Sequence, residues 1–162
     1  MTHNRRQLTL FIPPEHSVII EEIRKKYNPE QYQLIKSHIT LCREDELENI
    51  DLIKQNLSSQ EFNSITLSLE PVKRFSEGKG VLIPVADSKD EFQNLRREIL
   101  KGVIDNPRLH EPHITLMHPR NSTCTDDIFE EILKIQLPAA VSFYKISLIE
   151  QRNGGISRRA GR

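Results

Sequence analysis

Two histidine–threonine pairs carry the chemistry this chain can do. The tetrapeptide His-Ile-Thr-Leu stands at residues 38–41 and again at 113–116, 75 residues apart in a chain of 162. In a strand, residues two apart share a face and lie roughly 6.5–7 Å apart. His38 and Thr40 then look one way, Ile39 and Leu41 the other; His113 and Thr115 divide from Ile114 and Leu116 in the same manner. Two imidazoles suit a reaction in which one proton is taken and another given near neutral pH. Two hydroxyls can donate hydrogen bonds to an anion held between them, as phosphate oxygens require. Hydrolysis or transesterification at a phosphodiester fits this set: the base activates an attacking hydroxyl or water, and the acid protonates the leaving oxygen. The imidazolium and the donors can meet the developing charge, so no metal and no cofactor is expected.

The elements that must position these pairs come in one order, twice. Residues 8–13 (LTLFIP) read as a strand. Ile19, Ile20, Ile23 and Tyr27 then recur at helical spacing until Asn28-Pro29 stops them. The first HITL strand follows, then a helix marked by Leu47, Ile50, Ile53 and Leu57, then an alternating strand over 64–69. The second half repeats the series: a strand over 80–86, a helix through Phe92, Leu95, Ile99 and Val103 opened by the capping pair Ser88 and Glu91, and the second HITL strand. After it come a helix capped by Thr125 and a strand over 140–149. Leu8 precedes His38 by 30 residues and Val81 precedes His113 by 32; Ile65 follows His38 by 27 and Val141 follows His113 by 28. The expectation is an α+β, bilobal duplicated fold with pseudo-two-fold symmetry: two antiparallel-rich sheets forming a central cleft, with helices on the outer faces. Residues 1–151 make one bilobal domain on this reading, with repeats over about 8–75 and 80–150, and 152–162 form a flexible basic tail.

Composition narrows the partners. Lys plus Arg and Asp plus Glu both number 23, but four arginines and no acid lie in 152–162, which leaves 1–151 with 19 basic and 23 acidic groups. A mildly acidic body grips long nucleic acid poorly without many phosphate contacts, so phosphate would be held locally, in one site. No stretch approaches the ~20 apolar residues of a membrane span, and MTHNRRQLTLFIPP lacks the apolar run of a secretory leader. Cys42 and Cys124 are too few for a disulfide scaffold and read as free thiols, so a cytoplasmic location is expected.

The paired HITL motifs resemble the signature of the 2H phosphoesterase superfamily, whose members include 2′,3′-cyclic nucleotide phosphodiesterases and the RNA 2′,3′-cyclic phosphodiesterases long called 2′-5′ RNA ligases. The resemblance spans about residues 8–150 and is nearest to the short bacterial type. It implies a central cleft in which His38 and His113 are the acid–base pair and Thr40 and Thr115 bind phosphate; it leaves open which histidine is which. The ligand would be an RNA end or nucleotide with a 2′,3′-cyclic phosphate or a 2′-5′ linkage, and no obligate protein partner is implied. Hydrolysis is the first reading; 2′-5′ ligation or cleavage, or a non-catalytic module for RNA ends, are the alternatives. Past the first motif stands Arg43 and at the matching place past the second His118, with Arg120 two residues beyond, all candidates for substrate binding. Phe75 reads either as a base-stacking residue or as packing at a strand end. HEPH at 110–113, with His118 beyond, offers no helical i, i+4 pair of metal ligands and no carboxylate in a convincing third position. Cys42 shares the His38 face by parity, but Met117 at the matching place argues against a nucleophile.

Overall fold

The computed structural model describes residues 4–86, 89–152 and 158–161. Its elements are β1 (Asn4–Phe11), α1 (Pro14–Tyr27), α2 (Pro29–Leu34), β2 (His38–Cys42), a 3-10 turn (Glu44–Glu46), α3 (Ile50–Ser59), β3 (Ile65–Ser68), β4 (Lys73–Phe75), β5 (Gly80–Pro84), α4 (Lys89–Ile99), β6 (His113–Met117), α5 (Asp126–Leu133), β7 (Ala140–Phe143), β8 (Ser147–Arg152) and β9 (Arg158–Gly161). The order matches the expected α+β series, and the named strand pairs are all antiparallel.

Seven strands form one sheet in the order β4-β5-β6-β2-β1-β8-β9, while β3 and β7 pair apart from it. The two sheets expected for the two lobes meet at a thin seam: β2 and β6 are joined through the single pair Ile39–Ile114. Registers on either side of that seam agree. On β1–β2, Phe11 opposes His38, Leu10 opposes Ile39, Thr9 opposes Thr40 and, past a register shift, Leu8 opposes Cys42. On β5–β6, Pro84 opposes His113, Ile83 opposes Ile114, Leu82 opposes Thr115 and, past a shift at the same step, Val81 opposes Met117.

Strand parity separates the site from the core. Leu8, Leu10, Ile39, Leu41, Val81, Ile83, Ile114 and Leu116 are all buried, in one cluster with Ile20 and Ile23 of α1, Phe92, Leu95 and Ile99 of α4 and Ile132 of α5. The sheet thus turns its apolar face to the helices and keeps the His and Thr face clear. Thr125 caps α5 as expected, its hydroxyl accepting from the Ile128 N–H at 3.2 Å.

Several elements depart from the sequence reading. Asn28-Pro29 ends α1 but also begins α2, because proline suits the first helical position. Lys73–Phe75 forms β4, which pairs with β5 around a turn whose Ser76, Glu77 and Gly78 all have positive φ. Residues 140–149 are two strands, β7 on β3 and β8 on β1. The third helix begins at Ile50, with Leu47 left behind the 3-10 turn. Of the segment 152–162, set outside the fold, Arg158–Gly161 pairs as β9 with β8, whose edge would otherwise leave backbone groups unmet. The rest of that segment past Arg152, and the expected cap Ser88, lie outside the described residues.

Candidate active site

The seam between β2 and β6 fixes the relation of the four motif side chains. Ile39 lies opposite Ile114, and continuing that antiparallel register by one residue each way would set His38 across from Thr115 and Thr40 across from His113. The two histidines are then diagonal neighbours on one face, roughly 7–8 Å apart along the backbone and somewhat closer at their Cβ atoms. All four side chains line one groove of about 660 Å³, together with Arg5, Gln7, Arg43, His110, His118 and Arg120 among others.

Each histidine is held the same way. His38 Nδ1 lies 2.8 Å from the Lys36 carbonyl, and His113 Nδ1 lies 2.9 Å from the Glu111 carbonyl, two residues back in both cases. A carbonyl only accepts, so Nδ1 carries the proton in each ring, and in the neutral form Nε2 keeps its lone pair. The loops that supply these carbonyls are tied to the preceding helices by buried arginines. Arg24 of α1 donates to the Ile35 carbonyl at 2.6 Å and pairs with Glu21, which accepts from the Ser37 N–H at 3.1 Å. Arg96 of α4 donates to the Arg108 carbonyl at 3.0 Å and, across the seam, to the Leu41 carbonyl at 2.7 Å. Glu46 accepts from both ends of the Arg96 guanidinium, at 2.9 and 2.6 Å, and from the Arg43 N–H at 2.9 Å. Gln93 brackets His110 by its carbonyl and N–H.

Burial, with Arg24 and His113 adding, pulls His38 down to about 4 against the opposing pull of the Lys36 carbonyl, so its imidazole is neutral at neutral pH. His110, stacked on Phe92 with ring centroids 6.1 Å apart and 6.4 Å from His113, is likewise lowered to about 4, chiefly by burial. Gln7 on β1 donates to the Thr9 hydroxyl at 2.9 Å and toward the Thr40 hydroxyl at 3.4 Å. With Thr40 Oγ1 accepting from the amide, its O–H is left to donate.

Of the candidates read from sequence, His38, Thr40, Arg43, His113, Thr115, His118 and Arg120 come together in this groove. Phe75 does not line it; its ring lies over Gly80, where a Cβ would come within 2.5 Å of it. Its neighbour Arg74 serves the β4–β5 turn, donating to the carbonyls of Gly78 and Cys124 and pairing with Asp126. Cys42 departs from strand parity, because the register shift opposite Leu8 turns it into the core, and burial pushes its thiol up to about 12. Gln7 and Gln31 were missed by the sequence reading, and His110 was weighed there only as a metal ligand, for they reach the groove through pairings and loops that motif spacing does not encode.

No curated protein matches the chain significantly. Among solved structures, Escherichia coli LigT in complex with NADP+ is 18% identical with a TM-score of 0.62, covering 96% of this chain and 93% of that one. The same protein with ATP gives 17% identity and a TM-score of 0.61, over 96% and 92%. A structure described as a phosphoesterase gives 15% and 0.57, over 99% and 100%. These likenesses establish the fold. The family model of the 2′-5′ RNA ligase superfamily matches residues 12–155, and the chain therefore belongs to that superfamily.

Proposed function

We propose that this chain is a metal-independent phosphoesterase that opens 2′,3′-cyclic phosphates at RNA ends or on small nucleotides. The observation that carries the reading is the pair of histidines in one groove, each with Nδ1 tied to a carbonyl and Nε2 left for proton transfer, each across from a threonine hydroxyl. His38, neutral at working pH, takes a proton from the attacking water. The new P–O bond forms as the bond to the ribose 2′ or 3′ oxygen breaks; His113, entering the step as imidazolium with its Nδ1–H on the Glu111 carbonyl, gives its Nε2 proton to that oxygen. Thr40 and Thr115 donate to the non-bridging oxygens, where charge builds. LigT, similar in fold, binds NADP+, ATP and 3′-AMP in its structures, which supports a nucleotide as ligand here. The family's name keeps 2′-5′ ligation or cleavage beside hydrolysis, since the same two groups run the reaction in either direction.

The test is turnover of a 2′,3′-cyclic nucleotide with EDTA present. Wild type should open the ring, and His38→Ala or His113→Ala should each cost at least ~100-fold, the usual share of general acid–base catalysis. Full activity in either variant refutes the roles, and loss of wild-type activity on chelation refutes the metal-free mechanism.

A further inference from the structure

His118 faces the same groove as His38 and His113 but is held by the opposite nitrogen. Its Nδ1 accepts from the backbone N–H of Arg120 at 3.2 Å. A nitrogen that accepts carries no proton, so in the neutral ring the proton sits on Nε2, the reverse of the two motif histidines. Adding a second proton would set an Nδ1–H against the Arg120 N–H, beside the Arg120 guanidinium; burial and Arg120 both lower the His118 pKa.

This turn is built to stay. Asn28, fully buried at the end of α1, accepts from the His118 N–H at 2.8 Å and donates to Asn121 at 2.8 Å. Gln31 of α2 accepts from Asn121 at 3.0 Å and from the Arg120 guanidinium at 3.2 Å. The missed helix α2 thus supplies a scaffold for the residues past the second motif.

Placement decides what the donor can meet. His118 lies three residues past Thr115, roughly 10 Å along an extended chain, beyond reach of a phosphate centred between the motif side chains but within a nucleoside's length. Because β2 and β6 run antiparallel from the Ile39–Ile114 seam, Arg43 and His118 stand toward opposite ends of the groove.

We propose that His118 is a neutral Nε2–H donor that reads an uncharged acceptor on the nucleoside portion of the ligand, at the groove end remote from Arg43. This rests on the reading above in one respect, that phosphate occupies the centre of the groove.

Two measurements test it without turnover, so failure of the phosphoesterase reading would be seen separately. Long-range nitrogen–proton correlation spectra should show His118 as the Nε2–H tautomer and His38 as the Nδ1–H tautomer at neutral pH. A His118 that is Nδ1–H or doubly protonated there overturns the proposal. In calorimetry, His118→Ala should weaken adenosine 2′-monophosphate by roughly three- to tenfold, the worth of one neutral hydrogen bond, and leave inorganic phosphate unchanged. His118→Gln, which keeps an N–H, should recover most of that loss. Equal losses on both probes, or no loss on the nucleotide, overturn the assignment.

Discussion

Replacing Arg96 by methionine would remove the guanidinium that ties the two halves of the site together. Arg96 and Glu46 are both buried, at 1% and 4% side-chain exposure, and the guanidinium also holds the Leu41 and Arg108 carbonyls. Methionine fills similar space but leaves the Glu46 carboxylate with the Arg43 N–H at 2.9 Å and Arg108 Nε at 3.6 Å. Breaking a buried pair from one side costs about 3–5 kcal/mol, a large part of the ~5–15 kcal/mol that holds a domain folded. At about 2–4 °C per kcal/mol for a chain this long, Tm should fall by roughly 6–20 °C. The loss should also depend on pH. In wild type, burial pushes the Glu46 carboxyl up, but the Arg96 hydrogen bond, the Arg43 N–H and the nearby charges hold it below the usual carboxylate range. A depressed carboxyl stabilises the fold above its unfolded pKa, and that stability is lost as pH falls through the folded value. In Arg96→Met burial is opposed only by the Arg43 N–H and Arg108, so the Glu46 carboxyl rises relative to wild type, and the gap in stability between the two narrows as pH falls from neutral. Urea unfolding across that range, with a double-mutant cycle against Glu46→Gln, measures both effects. A cost under about 1 kcal/mol, or strict additivity in the cycle, would refute the argument.

Three further outcomes follow from other parts of the structure. With His38 lowered to about 4, it binds a proton only below the range of an ordinary imidazole, so kcat/KM for a cyclic nucleotide should hold through pH 6 and fall on the acid side near that value; an acid limb near 6.5 assigned to His38 by its loss in a variant would contradict the role of burial. Gly80→Ala sets a Cβ against the Phe75 ring and should cost about 1–3 kcal/mol, with recovery when Phe75→Leu is added; thermal unfolding of the single and double variants shows it. The Cys42 thiol, buried and raised to about 12, should resist alkylation in the native protein and react on unfolding, and fast native labelling at Cys42 would contradict its placement in the core.

The duplicated order of elements and the division of each HITL into a site face and a core face were readable because both depend on local patterns: strand parity, helical spacing and a cap such as Thr125. What escaped the sequence is non-local or too short to carry a pattern. β4 has three residues, two of them charged, and earns its place only by pairing with β5. The change of sheet between Phe143 and Ser147 hides inside one alternating run, since β7 and β8 differ in partner and not in composition. Cys42 followed parity until a register shift opposite β1 turned it inward. Arg96 and Glu46 look like surface charges in sequence, and only the folded chain makes them a buried pair. Gln7 stands 33 residues from Thr40, and no spacing rule joins them.

On the function proposed above, the seam gives a reason for both halves to keep the same polar pattern, which drift usually erodes. A single antiparallel pair, Ile39–Ile114, sets each histidine across from the other half's threonine, so neither half holds a complete set of donor and acid–base group across the groove. On that reading, loss of either pair would disable the whole, which ties the four side chains together. The residues beyond the motifs carry no such tie. Past the first, Arg43 offers a cation whose N–H is clamped by Glu46; past the second, His118 is fixed by Arg120 and Asn28 as a donor of opposite polarity to the motif histidines. The two HITL strands are thus alike, and the likeness gives way three residues further on, where Arg43 and His118 stand toward opposite ends of the groove.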